Sequence, residues 1–218
     1  HGGPLINHKW DGLEAAEWLL SLYRTFPWSD QEESGISNRM AVHIACSVTA
    51  VARHLFLGKA PFFFYHSNLE GSGKGALVRA ALLPVFRKAG PDDIDLADTK
   101  ELRNVLNTKA GCGASFVWAE ELPENWTLND RQLARWATTE TWPFRPMGQN
   151  KEMCNADITK MLTVIASNRM TVDRNLQRRV LHADLFPHQE AKERKLPEGT
   201  QMLDSAFFAD ERNLDKLL

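Results

Sequence analysis

Residues Phe62 to Phe86 read FFFYHSNLEGSGKGALVRAALLPVF, and the order of their parts constrains the fold more than any other stretch. Phe62 to Tyr65 make a short, continuous apolar run, the pattern of a strand buried on both faces. Glycines then punctuate a turn, Gly71-Ser72-Gly73-Lys74. An apolar, helix-forming run follows from Gly75 to Lys88, with a kink or interruption expected near Pro84.

The same alternation continues along the chain. Trp10 to Phe26 places Leu13, Ala16, Leu19, Leu20 and Tyr23 on one helical face. Ser37 is placed to cap a second helix running to Phe56. A further helix is expected from Thr99, an apolar strand over Ala114–Leu122, and a helix over LNDRQLARWATTE. Strands follow at Lys160–Asn168 and in VLHADLF. Strands alternating with helices predict an α/β fold with a central, mostly parallel sheet flanked by helices, preceded by an N-terminal helical segment. The expected divisions are 1–58 for that helical segment, 59–187 for the core, and 188–218 for a C-terminal tail or part of a helical region.

Charge and cysteine content narrow the chemistry. The net charge of −2 gives no global basic field for nucleic acid. Cys46, Cys112 and Cys154 are scattered and form no C-x-x-C pair, which reads as reduced core thiols of a cytoplasmic protein. No apolar run has the length of a membrane span, and no signal peptide is visible.

The glycine turn is a candidate phosphate cradle. Glycines let backbone N–H groups face inward, the helix adds its N-terminal dipole, and Lys74 adds a point charge for β- and γ-phosphates. The candidate binding segment is Asn68, Leu69, Glu70, Gly71, Ser72, Gly73, Lys74, Gly75 and Ala76. Two positions depart from the phosphate-loop pattern: Asn68 stands where its first glycine belongs, and Gly75 where a Ser or Thr would hold Mg²⁺. A flexible glycine turn without a ligand is the alternative.

Further along, SFVWAEEL ends an apolar strand in Glu120 and Glu121. In phosphate-loop ATPases a strand beside the loop strand ends in such a pair, the first acid holding Mg²⁺ through water and the second polarising the attacking water. VIASN ends another strand in Asn168, a position for sensing a γ-phosphate. Arg178 and Arg179 precede the last apolar run, where arginine can spread transition-state charge in the same or a neighbouring subunit. Taken alone, the acids and the arginine pair also read as solvated surface, and Asn168 as a turn-forming residue before Arg169. Their order along the chain is the order in which the ATPase mechanism uses them.

From about Ser37 to Pro187 the chain resembles the ATPase module of phage and mobile-element primase–helicase proteins, in the superfamily 3 or AAA+-like group. The stretches that carry the resemblance are APFFFYHSNLEGSGKG, KELRNVLNTKAGCGASFVWAEEL, LARWATTETWPFRPMGQ, LTVIASN and DRNLQRRVLHADLFP. TETWPFRPMG is the most specific, and the likeness implies that Arg145 faces a phosphate or a neighbouring subunit. It also implies ATP with Mg²⁺ held by Glu120, a homo-oligomeric ring such as a hexamer, and single-stranded or forked DNA as partner beside a primase domain. Glu120 stands where Asp is usual. Two other readings fit the same residues: a nucleotide-binding switch or loader without turnover, and a small-molecule kinase on the same scaffold. Trp118, Trp126, Trp136 and Trp142 could stack on bases or fill the core.

Overall fold

The structure is a computed structural model that describes residues 12–30, 37–55, 57–87, 89–96, 98–120, 127–146, 153–189, 193–195 and 198–218. In chain order its elements are α1 (Gly12–Tyr23), α2 (Asn38–Ala52), β1 (Phe62–Ser67), α3 (Lys74–Phe86), α4 (Thr99–Gly111) and β2 (Phe116–Ala119). Then come β3 (Thr127–Leu128), α5 (Arg131–Trp136), β4 (Thr141–Phe144), β5 (Cys154–Asp157) and β6 (Leu162–Asn168). The chain ends with β7 (Thr171–Val172), α6 (Arg174–Gln177), β8 (Val180–Leu185), α7 (Ser205–Ala209) and α8 (Glu211–Lys216). The fold is α/β, as the alternation of apolar runs predicts.

Two compact units divide the chain. One holds residues 52–66 and 90–182. Its sheet has the order β2-β6-β1-β8, and β2 pairs with β6 in parallel, Phe116 opposite Leu162 and Ala119 opposite Ile165. The expectation that the acid-tipped strand lies beside the loop strand is corrected here, because β6 stands between β2 and β1. The physical reason is burial: Leu162 to Ser167 are all buried, as an interior strand requires, whereas β2 is only four residues long.

The core of this unit joins Phe62 and Phe64 of β1 to Leu102 and Leu106 of α4, Val117 of β2, Ile165 of β6 and Trp136 of α5. Trp136 and Trp142 are buried in it, and Trp118 of β2 is buried as well, so none offers a face for stacking on a base; Trp126 lies outside the described residues. Trp136 donates from Nε1 to Thr163 Oγ1 at 3.0 Å, and Trp142 donates to Asn107 Oδ1 at 2.9 Å, so both indole N–H groups are satisfied. Lys59 Nζ donates to the Ile158 carbonyl at 2.7 Å and lies 5.1 Å from the Trp136 ring centre. Burial pushes its pKa down to about 8. The TWPF part of TETWPF forms β4, which pairs antiparallel with β5, Thr141 opposite Asp157. Cys46 is buried, but Cys112, which ends α4, and Cys154, which opens the mostly exposed β5, are exposed, so the expectation of core thiols is corrected for these two.

The other unit holds residues 1–51, 67–89 and 183–218. Ser37 caps α2, its Oγ accepting from Met40 N at 3.1 Å, and Asp30 accepts from Asn38 N at 3.0 Å. The helix stops at Ala52, short of the expected Phe56. Between α1 and α2 the imidazole of His43 is fully buried, edge-on to Tyr23 at 4.3 Å and stacked 6.1 Å from Trp28. Helix α3 runs through Pro84 to Phe86 without the expected interruption. Pro84 lies in the last turn, so its missing N–H removes one bond, to the Ala80 carbonyl, and the end beyond it still closes with Arg87 N donating to the Leu83 carbonyl. The C-terminal tail contributes α7 and α8, begun by Asp204 and Asp210 as N-caps.

Candidate functional site

The loop that follows β1 is built by its own backbone. Ser67 Oγ accepts from Leu69 N at 3.2 Å and donates to Leu69 O at 3.0 Å, which turns the chain at the strand end. Asn68 donates from Nδ2 to the Pro187 carbonyl at 3.3 Å. Gly71 and Gly73 take φ values of 62° and 100°, conformations that a side chain disfavours. Gly73 is also the N-cap of α3, and its carbonyl accepts the first helical bond from Leu77 N at 3.0 Å. A Cβ at Gly73 would stand 2.6 Å from Phe26 Cε1, so the loop backbone meets the Phe26 ring directly.

Lys74 opens α3 and is 9% exposed. Its Nζ donates to Ser72 Oγ at 3.2 Å, and Ser72 is itself buried. The ammonium is thus folded back over the loop at a helix N-terminus, where an anion is favoured. Gly75 and Ala76 continue the helix. A cavity of about 280 Å³ adjoins the loop, walled by residues 25–27, 71–73 and 200–203, with Ala76 and Arg194. The Arg194 guanidinium donates to the Gly71 carbonyl, a contact between residues far apart in sequence.

In the sheet-bearing unit, Glu120 directly follows β2 and Asn168 ends β6. Because Ala119 is level with Ile165, the two side chains leave the C-terminal ends of neighbouring parallel strands. Ligands collect at that end of open α/β sheets. Glu120 Oε1 is shut off from solvent. Glu121 lies outside the described residues. Asn168 is followed by Arg169 with φ 46°, a sharp turn after the strand.

Arg178 and Arg179 sit between α6 and β8 in different settings. Arg178 is exposed, while Arg179 is half-buried and its guanidinium donates to both the carbonyl and the side-chain oxygen of Asn175. Arg145 follows β4 and is exposed. The sequence-predicted residues thus divide: Asn68 to Ala76 belong to one unit, and Glu120, Arg145, Asn168, Arg178 and Arg179 to the other. Sequence reasoning missed Phe26, Arg194 and residues 200–203, since only the fold brings them to the loop.

No family model and no curated protein sequence matches the chain. Among solved structures, the apo A form of the C-terminal region of NrS-1 matches with a TM-score of 0.57 and 14% identity, over 99% of this chain and 47% of that one. An apo A form of the same region spanning its residues 305–718 matches with a TM-score of 0.52 and 13% identity, over 93% and 43% of the two chains. Likeness at this identity shows a shared fold. The chain spans less than half the length of these structures.

Proposed function

We propose that the chain is an ATP-binding and ATP-hydrolysing module of a DNA-replication protein of the phage or mobile-element primase–helicase kind. The observation that carries the reading is the loop after β1: two glycines at positive φ and a nearly buried lysine opening a 13-residue helix. Glycines that let backbone N–H groups turn inward, a helix dipole and one cation at one point would make a phosphate cradle. The fold likeness to the C-terminal region of NrS-1 supports the same reading.

The residues fit Mg·ATP by their donor chemistry. Lys74 would bind the β- and γ-phosphates, displacing its own contact to Ser72. Glu120 presents a solvent-shielded carboxylate oxygen at a strand end, suited to a hard cation or its water. Among the described residues no group of three or more His, Cys, Asp and Glu gathers as a metal site, so phosphate oxygens and water would supply most ligands of Mg²⁺. Mg²⁺ held there would neutralise part of the phosphate charge. Glu121 would orient the attacking water and Asn168 the γ-phosphate, and an arginine would spread the developing charge. Movement on single-stranded or forked DNA, assembly as a ring and a linked primase rest on the motif resemblance alone.

The test is ATP turnover with and without single-stranded DNA, beside calorimetry on Lys74→Ala. Turnover stimulated by DNA and loss of nucleotide affinity in the variant are expected; unchanged affinity would remove the phosphate-loop reading. Gly75 favours a second reading, a nucleotide-binding switch without turnover, because the hydroxyl that usually helps hold Mg²⁺ is absent.

A further inference from the structure

The proposed phosphate chemistry leaves unused the cavity of about 280 Å³ beside the glycine loop. One wall is Phe26, whose ring already touches the loop backbone at Gly73. Further lining comes from the C-terminal segment, with Met202 and Leu203 as its apolar part. Gln201, also in the lining, is exposed and carries a carboxamide, a group that both donates and accepts. Arg194 fixes this segment to the loop through the Gly71 carbonyl. All these residues belong to the same compact unit as Lys74. Phe26, Arg194, Gln201, Met202 and Leu203 lie outside Ser37–Pro187, the stretch whose motifs carry the resemblance.

These features specify an occupant. A ligand anchored by phosphates at the loop fills this space only if it also carries a flat, largely apolar ring with a polar edge. A nucleoside has that form; inorganic phosphate chains do not. Aromatic and aliphatic side chains bind such a ring by its faces, and a carboxamide pairs with the donor–acceptor edge of a purine. We propose that this cavity is the nucleoside subsite, with the base held by Phe26, Met202 and Leu203 and its edge met by Gln201. Arg194 is a positioning residue that keeps the C-terminal segment against the loop. The inference rests on the phosphate-loop reading of Lys74 and adds that segments at both ends of the chain set base affinity.

Calorimetry on the full chain with Mg²⁺ separates the two, with ATP and inorganic tripolyphosphate as probes. ATP is expected to bind at least about tenfold more tightly than tripolyphosphate, and Phe26→Ala to weaken ATP by about tenfold while leaving tripolyphosphate unchanged. Met202→Ala is the second variant, because Met202 is 51% exposed and its truncation leaves the packing beneath intact; it should shift the same ratio in the same direction. Equal affinity of the wild-type chain for both probes would overturn the nucleoside subsite and spare the phosphate loop. Equal losses for both probes in both variants would also overturn it, by showing that the wall supports the loop and not a base. Binding of neither probe would remove the phosphate-loop reading, and the subsite with it.

Discussion

Two glycines flank Lys74, and they differ in what the backbone asks of them. Gly73 has φ 100° and faces the Phe26 ring at a distance no Cβ tolerates. Gly73→Ala should cost about 1–3 kcal/mol from backbone strain, with further loss if Phe26 cannot move. Urea unfolding should show that drop, and calorimetry should show ATP affinity falling with it; an unchanged unfolding midpoint would mean that the loop takes another conformation. Gly75 has no such excuse. It lies inside α3, where glycine costs up to roughly 1 kcal/mol relative to Ala. One Mg²⁺ ligand of about six is missing there, and water can replace it. Gly75→Thr should therefore lower the Mg²⁺ concentration for half-maximal turnover in a working ATPase. In a switch without turnover, the same variant should bind Mg·ATP more tightly and still not hydrolyse it. If neither quantity moves, the metal does not sit beside this residue and the roles of Lys74 and Glu120 must be reassigned.

Between elements, the α1–α2 contact contains a buried titratable group. Burial holds the pKa of His43 down at about 3, against an ordinary value near 6.5. The unfolded chain takes up a proton as pH falls through about 6.5, whereas the folded chain does so only near 3. His43 therefore favours folding above about 6.5, and that contribution is lost progressively as pH falls toward 3, by at most about 1.4 kcal/mol per pH unit. Urea midpoints at pH 7 and pH 5 should fall more steeply in the wild-type chain than in His43→Gln; parallel slopes would show that His43 reaches solvent in the folded state. At this scale the sequence was legible where burial is one-sided or complete. The apolar runs at Phe62, Phe116, Leu162 and Val180 all became strands of one sheet. The β4–β5 hairpin was not legible, because β5 reads CNAD and stays mostly exposed, so no apolar period marks it. The tail helices were equally faint, each being about one turn and a half and defined mainly by an aspartate cap. Strand order was beyond reach for another reason: apolar runs reveal burial, not which strand separates two others. The glycine loop showed in the sequence because its residues are consecutive, and the cavity did not because its walls are scattered from Thr25 to Leu203.

For the whole molecule the open question is whether one copy can complete the chemistry. Arg178 and Arg179 were indistinguishable as a sequence pair, and the fold distinguishes them. Arg179 is tied to Asn175 on its own turn, which fixes its guanidinium locally. Arg178 is exposed and is the better group to present to a neighbouring copy. If it acts across a subunit boundary on transition-state charge, Arg178→Ala should lower kcat by about a thousandfold or more with ATP affinity retained. Arg179→Ala should cost less turnover and more stability, since it removes a local tether. A mixing experiment then reports which copy the arginine serves. Lys74→Ala and Arg178→Ala subunits should each be inactive alone, one for want of bound nucleotide and the other for want of the arginine. Mixed, they place an intact Lys74 against an intact Arg178 at some interfaces, and turnover should partly return, rising more steeply than linearly with protein concentration. Light scattering under the same conditions fixes the oligomeric state. Mixed oligomers that form without regaining activity would show that Arg178 serves its own subunit, or none, and the ring-forming reading would then lose the side chain that requires it.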